Sequence, residues 1–171
     1  MPAFSRRREL FEKCVVEHAD SLYRVAFRLV GNRDQAEELV QETCLNAWNN
    51  IDSLRDETKI RSWLFAILRN QYRKFLRNQP PKALDIAVNE PLAKTDDPTL
   101  DFDQQKLQTA IEKLDENFRL PLLLVVMEGC SVQETAAILQ LPKGTVLSRL
   151  YRARQKMKCF LNDEKKMTNG H

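Results

Sequence analysis

Apolar residues recur at helical spacing along most of this chain, and one stretch breaks the pattern. The segment QPPKALDIAVNEPLAKTDDPTLDFD, residues 79–103, holds four of the seven prolines and lacks helical periodicity. The chain has only four glycines and is 43% hydrophobic, so the sequence on either side of the break can bury an apolar core. We therefore predict an all-α protein with two small helical domains, residues 1–78 and 104–165, a flexible linker over 79–103 and a tail over 166–171.

Charge is distributed in blocks along the chain. The formal net charge is only +3, yet residues 55–78 carry seven basic and two acidic residues, and residues 143–171 carry eight and two. The linker that lies between these blocks carries two basic and six acidic residues. Two basic blocks on either side of an acidic spacer indicate two separate contacts with a polyanion such as nucleic acid.

The second basic block follows the pattern of a helix-turn-helix. Ser131 and Glu134 form a capping box that predicts a short helix over 132–139, and Pro142 ends the turn before a longer helix begins at Lys143. The alternative is a solvated basic surface on an ordinary helical hairpin. The longer helix has an apolar face and an opposite face that suits phosphates and base edges: Val146, Leu150, Ala153 and Met157 against Thr145, Ser148, Arg149, Arg152 and Lys156.

The helix predicted over residues 34–49 has an outer face that mixes acidic and apolar side chains. Leu45 lies in the middle of this face and Trp48 lies at its edge. An apolar side chain among acidic residues is typical of a protein-docking patch, although an isolated surface leucine fits the pattern equally well. The surrounding polar residues are Glu37, Glu38, Gln41 and Glu42.

The first basic block predicts an amphipathic helix over residues 59–77. Basic side chains beside an exposed aromatic suit single-stranded or distorted nucleic acid, and the preceding loop over 54–61 could form a pocket for an unstacked base. The alternative is a solvated helix with Trp63 in the core, and for Trp63 itself we favour the core. The candidate contact residues are Lys59, Arg61, Ser62, Trp63, Arg69, Asn70, Arg73, Lys74 and Arg77.

Other function classes lack the residues that they need. Histidine occurs only at His18 and His171, and the chain has no glycine-rich phosphate loop and no GxSxG motif, so we do not expect an enzyme.

The four cysteines include no CxxC pair, which favours a reduced cytoplasmic compartment and no cofactor. Cys14 and His18 share a helix face, but two ligands do not make a zinc site, and core packing is expected. No apolar run approaches the roughly 18 residues of a membrane span.

Three stretches together resemble a bacterial sigma factor of the sigma-70 family, in its small extracytoplasmic-function (ECF) group. NRDQAEELVQETCLNAW, residues 32–48, is similar to region 2.2, and RSWLFAILRNQYRKFLR, residues 61–77, is similar to regions 2.3 and 2.4. SVQETAAILQLPKGTVLSRLYRARQKMK, residues 131–158, is similar to region 4.2. Their order and spacing match over nearly the whole chain, and the combination is far more specific than a helix-turn-helix alone.

The resemblance implies a role for each face. The acidic face around Leu45 would dock on the clamp coiled coil of the largest subunit of core RNA polymerase, and the C-terminal domain would contact the polymerase flap. The first basic block would recognise and melt the −10 element, and Ser131, Lys143 and the outer face of the last helix would contact the −35 duplex. The linker would run toward the active-site cleft, and an anti-sigma factor would be a further partner.

Four positions depart from the family pattern. Gln140 replaces a glycine in the turn, and Leu147 replaces a basic residue; the family often has a phenylalanine where Ile60 stands and another near Cys44. The rival hypothesis is a free-standing helix-turn-helix regulator that does not bind polymerase, which leaves the Leu45 face without a role.

In the isolated protein, we also expect that the two domains can pack against each other and hide both basic faces.

Overall fold

The computed structural model describes residues 2–80 and 101–168, and the side chains of residues 5–80 and 101–163. These parts of the chain are helical and contain no strand. Short 3-10 turns at Ile51–Ser53 and Glu57–Lys59 precede the third helix. The helices are α1 (Pro2–Val30), α2 (Arg33–Asn50), α3 (Ile60–Asn78), α4 (Phe102–Glu112), α5 (Glu116–Val126), α6 (Val132–Leu139) and α7 (Lys143–Thr168).

The helix boundaries refine the predicted limits of the second domain. α4 begins at Phe102 rather than at residue 104, because the Asp101 side chain caps it by accepting a hydrogen bond from the Gln104 N–H at 2.8 Å. At the other end, α7 continues to Thr168, inside the predicted tail. Most of the predicted linker, residues 81–100, lies outside the described residues.

A tight turn folds α2 back onto α1. Gly31 has a φ of 69° and donates its N–H to the Phe27 carbonyl at 2.7 Å, which ends α1. Asn32 then caps α2 by accepting a hydrogen bond from the Gln35 N–H at 3.0 Å. α3 packs against both helices and completes the first bundle. The buried stripe of α2 consists of Ala36, Leu39, Thr43 and Ala47.

The C-terminal half is built around α5, whose residues 120–124 are all buried. Gly129, at a φ of 64°, lets the chain turn before the Ser131–Glu134 capping box starts α6. Gln140 ends α6 in the left-handed conformation, with a φ of 53°. On α7, Val146, Leu150 and Ala153 are buried as predicted.

The two halves pack against each other through α3 on α6 and through α1 on α4 and α5. One hydrophobic cluster crosses the contact: Val25, Leu29, Phe65 and Leu68 of the first half belong to it, and so do Ile111, Leu120, Leu123, Leu124 and Ile138 of the second. The two helical domains therefore pack against each other, but the expectation that this packing would hide both basic faces is met only in part. The packing covers part of the α3 basic face, but it leaves most of the outer face of α7 exposed.

Candidate nucleic-acid interface

The acidic face of α2 is open to solvent. Glu37, Glu38 and Gln41 are exposed, and Glu42 is half-buried. Leu45 has 56% of its surface exposed, although it lies on a helix whose other side is fully packed. The structure thus places an uncovered apolar side chain among carboxylates, as the sequence predicts.

Trp48 is less free than the other residues of this face. Its ring meets Phe11 edge-on with centroids 5.2 Å apart, and the Arg7 guanidinium lies 4.7 Å from the ring centroid. Arg7 also donates a hydrogen bond to the Trp48 carbonyl at 2.6 Å. Trp48 is half-buried and ties the end of α2 to α1, so only part of its ring can contribute to a docking surface.

The basic face of α3 is divided by the contact with the second half. Asn70, Arg73, Lys74 and Arg77 are exposed, as predicted, and so is Lys59 in the turn before the helix. Arg69 is only 6% exposed, which corrects the expectation that it lies on the outer face with them. Ser62 and Trp63 are half-buried, and Trp63 packs against the hydrophobic cluster, in line with the favoured core position.

Arg69 is buried because the end of α6 supplies it with an acceptor. Its Nη1 donates to the Ile138 carbonyl at 2.5 Å, while Nε and Nη2 donate to Asn70 Oδ1 at 3.1 and 2.7 Å. Burial lowers the pKa of Arg69 below its ordinary value, and the nearby Arg73 charge lowers it further. The last carbonyls of a helix carry partial negative charge, which suits a buried guanidinium.

Arg61 is held in a similar way by the turn between α5 and α6. Its guanidinium donates to the Glu128 carbonyl and lies 3.4 Å from Glu128 Oε2. On the other side, Arg24 Nη2 of α1 lies 3.5 Å from Glu128 Oε1. The Glu128 side chain is only 3% exposed, so one buried carboxylate of the second half faces two arginines of the first.

The helix-turn-helix forms with the geometry that the sequence predicts. Ser131 Oγ accepts a hydrogen bond from the Glu134 N–H at 3.0 Å, and Glu134 Oε2 accepts one from the Ser131 N–H at 2.7 Å. These hydrogen bonds lower the pKa of Glu134 below its ordinary value. Since the Ser131 hydroxyl caps α6, its first task is to fix the helix that positions α7.

The outer face of α7 carries the candidate duplex contacts. Ser148, Arg152 and Lys156 are exposed, and Thr145 and Arg149 are half-buried. Lys156 Nζ forms an ion pair with Asp115 Oδ2 at 2.6 Å, which restrains this side chain. Lys143 is exposed at the start of the helix, where Nζ lies 3.3 Å from Gln133 Oε1. The face therefore offers hydroxyl and guanidinium donors to phosphates and base edges.

A basic cleft of about 410 Å³ joins the two candidate nucleic-acid faces. Arg73 and Arg77 line it from α3, and Arg149 lines it from α7. Glu116 of α5 is the acidic residue in its lining. The closed packing therefore brings arginines of both predicted DNA contacts to one opening.

An apolar groove of about 630 Å³ lies between α4, α5 and α7, and the sequence pattern did not predict it. Val126, Leu147 and Tyr151 line it and are each more than half exposed, and Arg154 and Lys158 also belong to its lining. A spacing of four residues puts Leu147 and Tyr151 on one side of α7, beside the face assigned to DNA. That spacing, together with an apolar Leu147 in a basic helix, was the signal that could have revealed a second docking surface.

The cysteines differ in burial: Cys14 and Cys130 are buried, Cys44 is half-buried and Cys159 is exposed. Cys14 is buried, and burial raises the pKa of its thiol; His18 is half-buried, and burial lowers its pKa. Among the described side chains, no group of three or more potential ligands could hold a metal ion. None of the described helices is both long and apolar enough to cross a membrane.

Comparison with known proteins decides the family. The model of Sigma-70 region 2 matches residues 14–80, and that of Sigma-70, region 4 matches residues 104–157. ECF RNA polymerase sigma factor EcfG of Rhodopseudomonas palustris (strain TIE-1) is 36% identical over 143 residues, which cover 82% of this chain and 79% of the relative. The chain belongs to the sigma-70 family. RNA polymerase sigma factor SigV of Bacillus subtilis (strain 168) is also similar, with 32% identity over 157 residues and 91% and 93% of the two chains covered.

Solved structures of other sigma factors share the fold. The sigma factor RpoE of Bartonella quintana, in complex with the anti-sigma factor NepR, is 28% identical with a TM-score of 0.73, and 89% of this chain and 96% of that one are covered. CnrH, in complex with the cytosolic domain of CnrY, is 26% identical with a TM-score of 0.68 and coverage of 90% and 88%. Helices α1–α3 thus correspond to region 2 and α4–α7 to region 4 of an ECF sigma factor.

This membership resolves the choice between the two function hypotheses. The chain is a sigma factor, a DNA-binding promoter-specificity subunit that associates with core RNA polymerase and directs transcription initiation. The relatives match both halves of the chain, whereas a free-standing regulator would need only the helix-turn-helix. Sigma factors as a class are not enzymes.

Proposed function

We propose that this sigma factor divides promoter recognition between its two halves, with α2 as the polymerase anchor. The observation that carries the proposal is the exposed Leu45 among the acidic residues of α2, because a helix-turn-helix regulator has no use for this face. Glu37, Glu38, Gln41 and Glu42 would contact basic residues around an apolar pocket on the clamp coiled coil. Trp48 would contribute the exposed part of its half-buried side chain.

The basic residues of region 2 would act on the −10 element. Arg73, Lys74 and Arg77 form an exposed cationic row that suits phosphates of the displaced strand, and Asn70 adds an amide beside it. Lys59, Arg61, Ser62 and Trp63 surround the turn before α3, where an unstacked base could be held. The binding energy gained on the single strand would drive strand separation without covalent chemistry.

Region 4 would read the −35 element with α7 in the major groove. Thr145, Ser148, Arg149 and Arg152 supply the side chains for base edges and phosphates, and Lys143 and Lys156 mark the two ends of the face. The apolar groove around Val126, Leu147 and Tyr151 would take the polymerase flap, because an apolar element can cover these exposed side chains. The DNA contacts and the flap contact then lie on different sides of one helix.

An anti-sigma factor would regulate the protein by covering the same polymerase-binding surfaces. The structures of RpoE with NepR and of CnrH with the cytosolic domain of CnrY provide the precedent. The site of action would be the cytoplasm, where RNA polymerase works. No cofactor enters any of these steps.

Run-off transcription tests the assignment directly. Purified bacterial core polymerase is assayed with and without this protein on a library of promoter fragments. Discrete new start sites with shared upstream sequences are expected, and those sequences would define both recognition elements. Absence of transcripts, together with tight duplex binding by the protein alone, would support a free-standing regulator instead.

A further inference from the structure

The loop before α3, residues 52–59, is anchored at its two ends and open between them. Ile51 and Ile60 on either side of it are almost fully buried, whereas the loop side chains are exposed apart from the half-buried Leu54. The Asp56 carboxylate accepts hydrogen bonds from the Thr58 N–H at 3.0 Å and from the Thr58 hydroxyl at 2.6 Å. These local bonds shape the loop, but they do not fix its position against α1 and α2.

Arg7 of α1 provides the link from outside the loop. Its Nη1 lies 3.2 Å from Asp52 Oδ2, and its Nη2 donates a hydrogen bond to the Trp48 carbonyl at 2.6 Å. One planar guanidinium therefore joins α1, the end of α2 and the start of the loop. An exposed ion pair alone would contribute little, but the Arg7 side chain is only 28% exposed and its donors have a fixed geometry.

The same contacts change the charge that the loop presents. Three acidic and two basic residues lie in it: Asp52, Asp56 and Glu57 against Arg55 and Lys59. An excess of carboxylates opposes the approach of strand phosphates. Arg7 pairs with Asp52, and Arg6 Nη2 lies 3.9 Å from Glu57 Oε1 in a more exposed pair. The start of α1 thus offsets two of the three carboxylates.

Both arginines precede residue 14, at which the match to Sigma-70 region 2 begins. Their contacts with the loop are therefore a feature of this chain that lies outside the matched region. A recognition site keeps its selectivity only while its supporting residues hold it in place. A brace from α1 to the loop is such a support.

We propose that Arg7 is a positioning residue for promoter opening, which holds the loop over residues 52–59 in the arrangement that receives an unstacked base of the −10 element. This inference rests on the proposed assignment of the loop to the −10 element. Arg7 acts through Asp52 and the Trp48 carbonyl, and it need not touch DNA itself. Its removal should therefore affect the choice of base more than the assembly with polymerase.

The test removes the brace from each side. Arg7→Ala deletes the guanidinium, Asp52→Ala deletes its partner in the loop, and the double variant combines the two. Arg8→Ala is the matched control, because the neighbouring Arg8 lies in an exposed pair within α1, with Nε 2.7 Å from Glu12 Oε1. Titration of each full-length chain with core polymerase gives the binding affinity, and circular dichroism checks the fold.

The decisive readout is base discrimination at the −10 element. A promoter found by run-off transcription with the wild-type protein is varied base by base in this element. Transcription from the preferred base, divided by transcription from the least used base, is measured for each chain. We expect Arg7→Ala to lower this ratio about tenfold, the usual effect of losing a hydrogen bond to a charged group.

The other variants show whether the effect passes through the ion pair. Asp52→Ala should lower the ratio less than Arg7→Ala does, because the bond to the Trp48 carbonyl remains. The double variant should be no worse than Arg7→Ala, since both changes remove the same link. Arg8→Ala should keep the wild-type ratio, and affinity for core polymerase should change less than twofold in every variant.

Three results would overturn the proposal. An equal loss of transcription for every base would make Arg7 a general stabiliser, and a loss confined to polymerase binding would place it at the anchor through Trp48. Additive effects of Arg7→Ala and Asp52→Ala would show that the two residues act independently. Failure of the proposed function is recognised separately, because wild-type protein would then give no transcripts with core polymerase.

Discussion

Arg69 of α3 donates a hydrogen bond to the carbonyl of Ile138, the penultimate residue of α6, at 2.5 Å. The two residues are 69 positions apart in the chain, and their contact joins region 2 to region 4. A residue that was expected to face DNA is therefore also a structural element of the free protein. Substitutions at this position should affect stability as well as promoter opening.

Arg69→Ala should lower the free energy of unfolding of the free protein by about 2 kcal/mol, because a charged donor is lost and a buried carbonyl is left without its partner. Arg73→Ala, on the exposed side of the same helix, should change stability by less than about 0.5 kcal/mol. Urea titrations followed by circular dichroism measure both values. Equal stability of the two variants would contradict the role of Arg69 in the interface.

Leu45→Glu should weaken binding to core polymerase about tenfold or more and leave the fold intact, because the side chain is exposed and the new charge would face an apolar pocket. Val16→Glu is the matched control, since Val16 is 83% exposed on α1 and lies outside the docking face. Titration of labelled protein with core polymerase gives both affinities. If the two variants bind alike, α2 is not the anchor.

Arg149→Ala should reduce the preference for a promoter −35 element over random duplex DNA by about 1–3 kcal/mol, the usual value of a base contact. Arg154→Ala serves as the control, because Arg154 lies on the groove side of the same helix. Competition binding with the two duplexes measures the preference. A loss that is the same on both duplexes would make Arg149 a phosphate contact.

Gln140→Gly should stabilise the protein by about 1 kcal/mol, because Gln140 has a φ of 53° and a side chain in this left-handed conformation is strained. Glycine adopts the same backbone conformation freely. The gain is measured as a higher midpoint of urea unfolding. A lower midpoint would indicate that the greater freedom of glycine in the unfolded chain outweighs the strain.

The capping box of α6 should make part of the stability dependent on pH. The pKa of Glu134 is lowered in the folded state, so its contribution is complete above the ordinary value of 4.5 and is lost as the pH falls through the folded pKa. The difference in melting temperature between wild type and Glu134→Gln should therefore be larger at pH 7 than at pH 3. Glu38→Gln, the same change at an exposed position of α2, is the control. Ser131→Ala should cost about 1 kcal/mol at neutral pH.

The features that could be predicted from the sequence are those determined by neighbouring residues. The Ser131–Glu134 box and the buried Val146 and Leu150 depend on residues within a few positions of one another, so the local sequence defines them. Leu45 could be placed on an exposed face for the same reason.

The features that escaped prediction depend on contacts between distant segments. The period of α3 correctly separates its polar side from its apolar side, but a polar side is exposed only where no other segment provides an acceptor. Arg69 donates a hydrogen bond to α6, and Arg61 forms an ion pair with Glu128. No local sequence pattern predicts either contact. The groove beside Tyr151 likewise requires α4, α5 and α7 to be brought together.

Separation of the two halves would divide the hydrophobic cluster that α1, α3, α5 and α6 share. Leu123, Leu124 and Ile138 are almost fully buried there, and they would lose part of their cover when the halves separate. Newly wetted apolar surface favours aggregation, and loosened helices are readily cleaved by proteases. A partner that holds the two halves apart would therefore have a second task besides recognition, which is to keep these apolar side chains away from water.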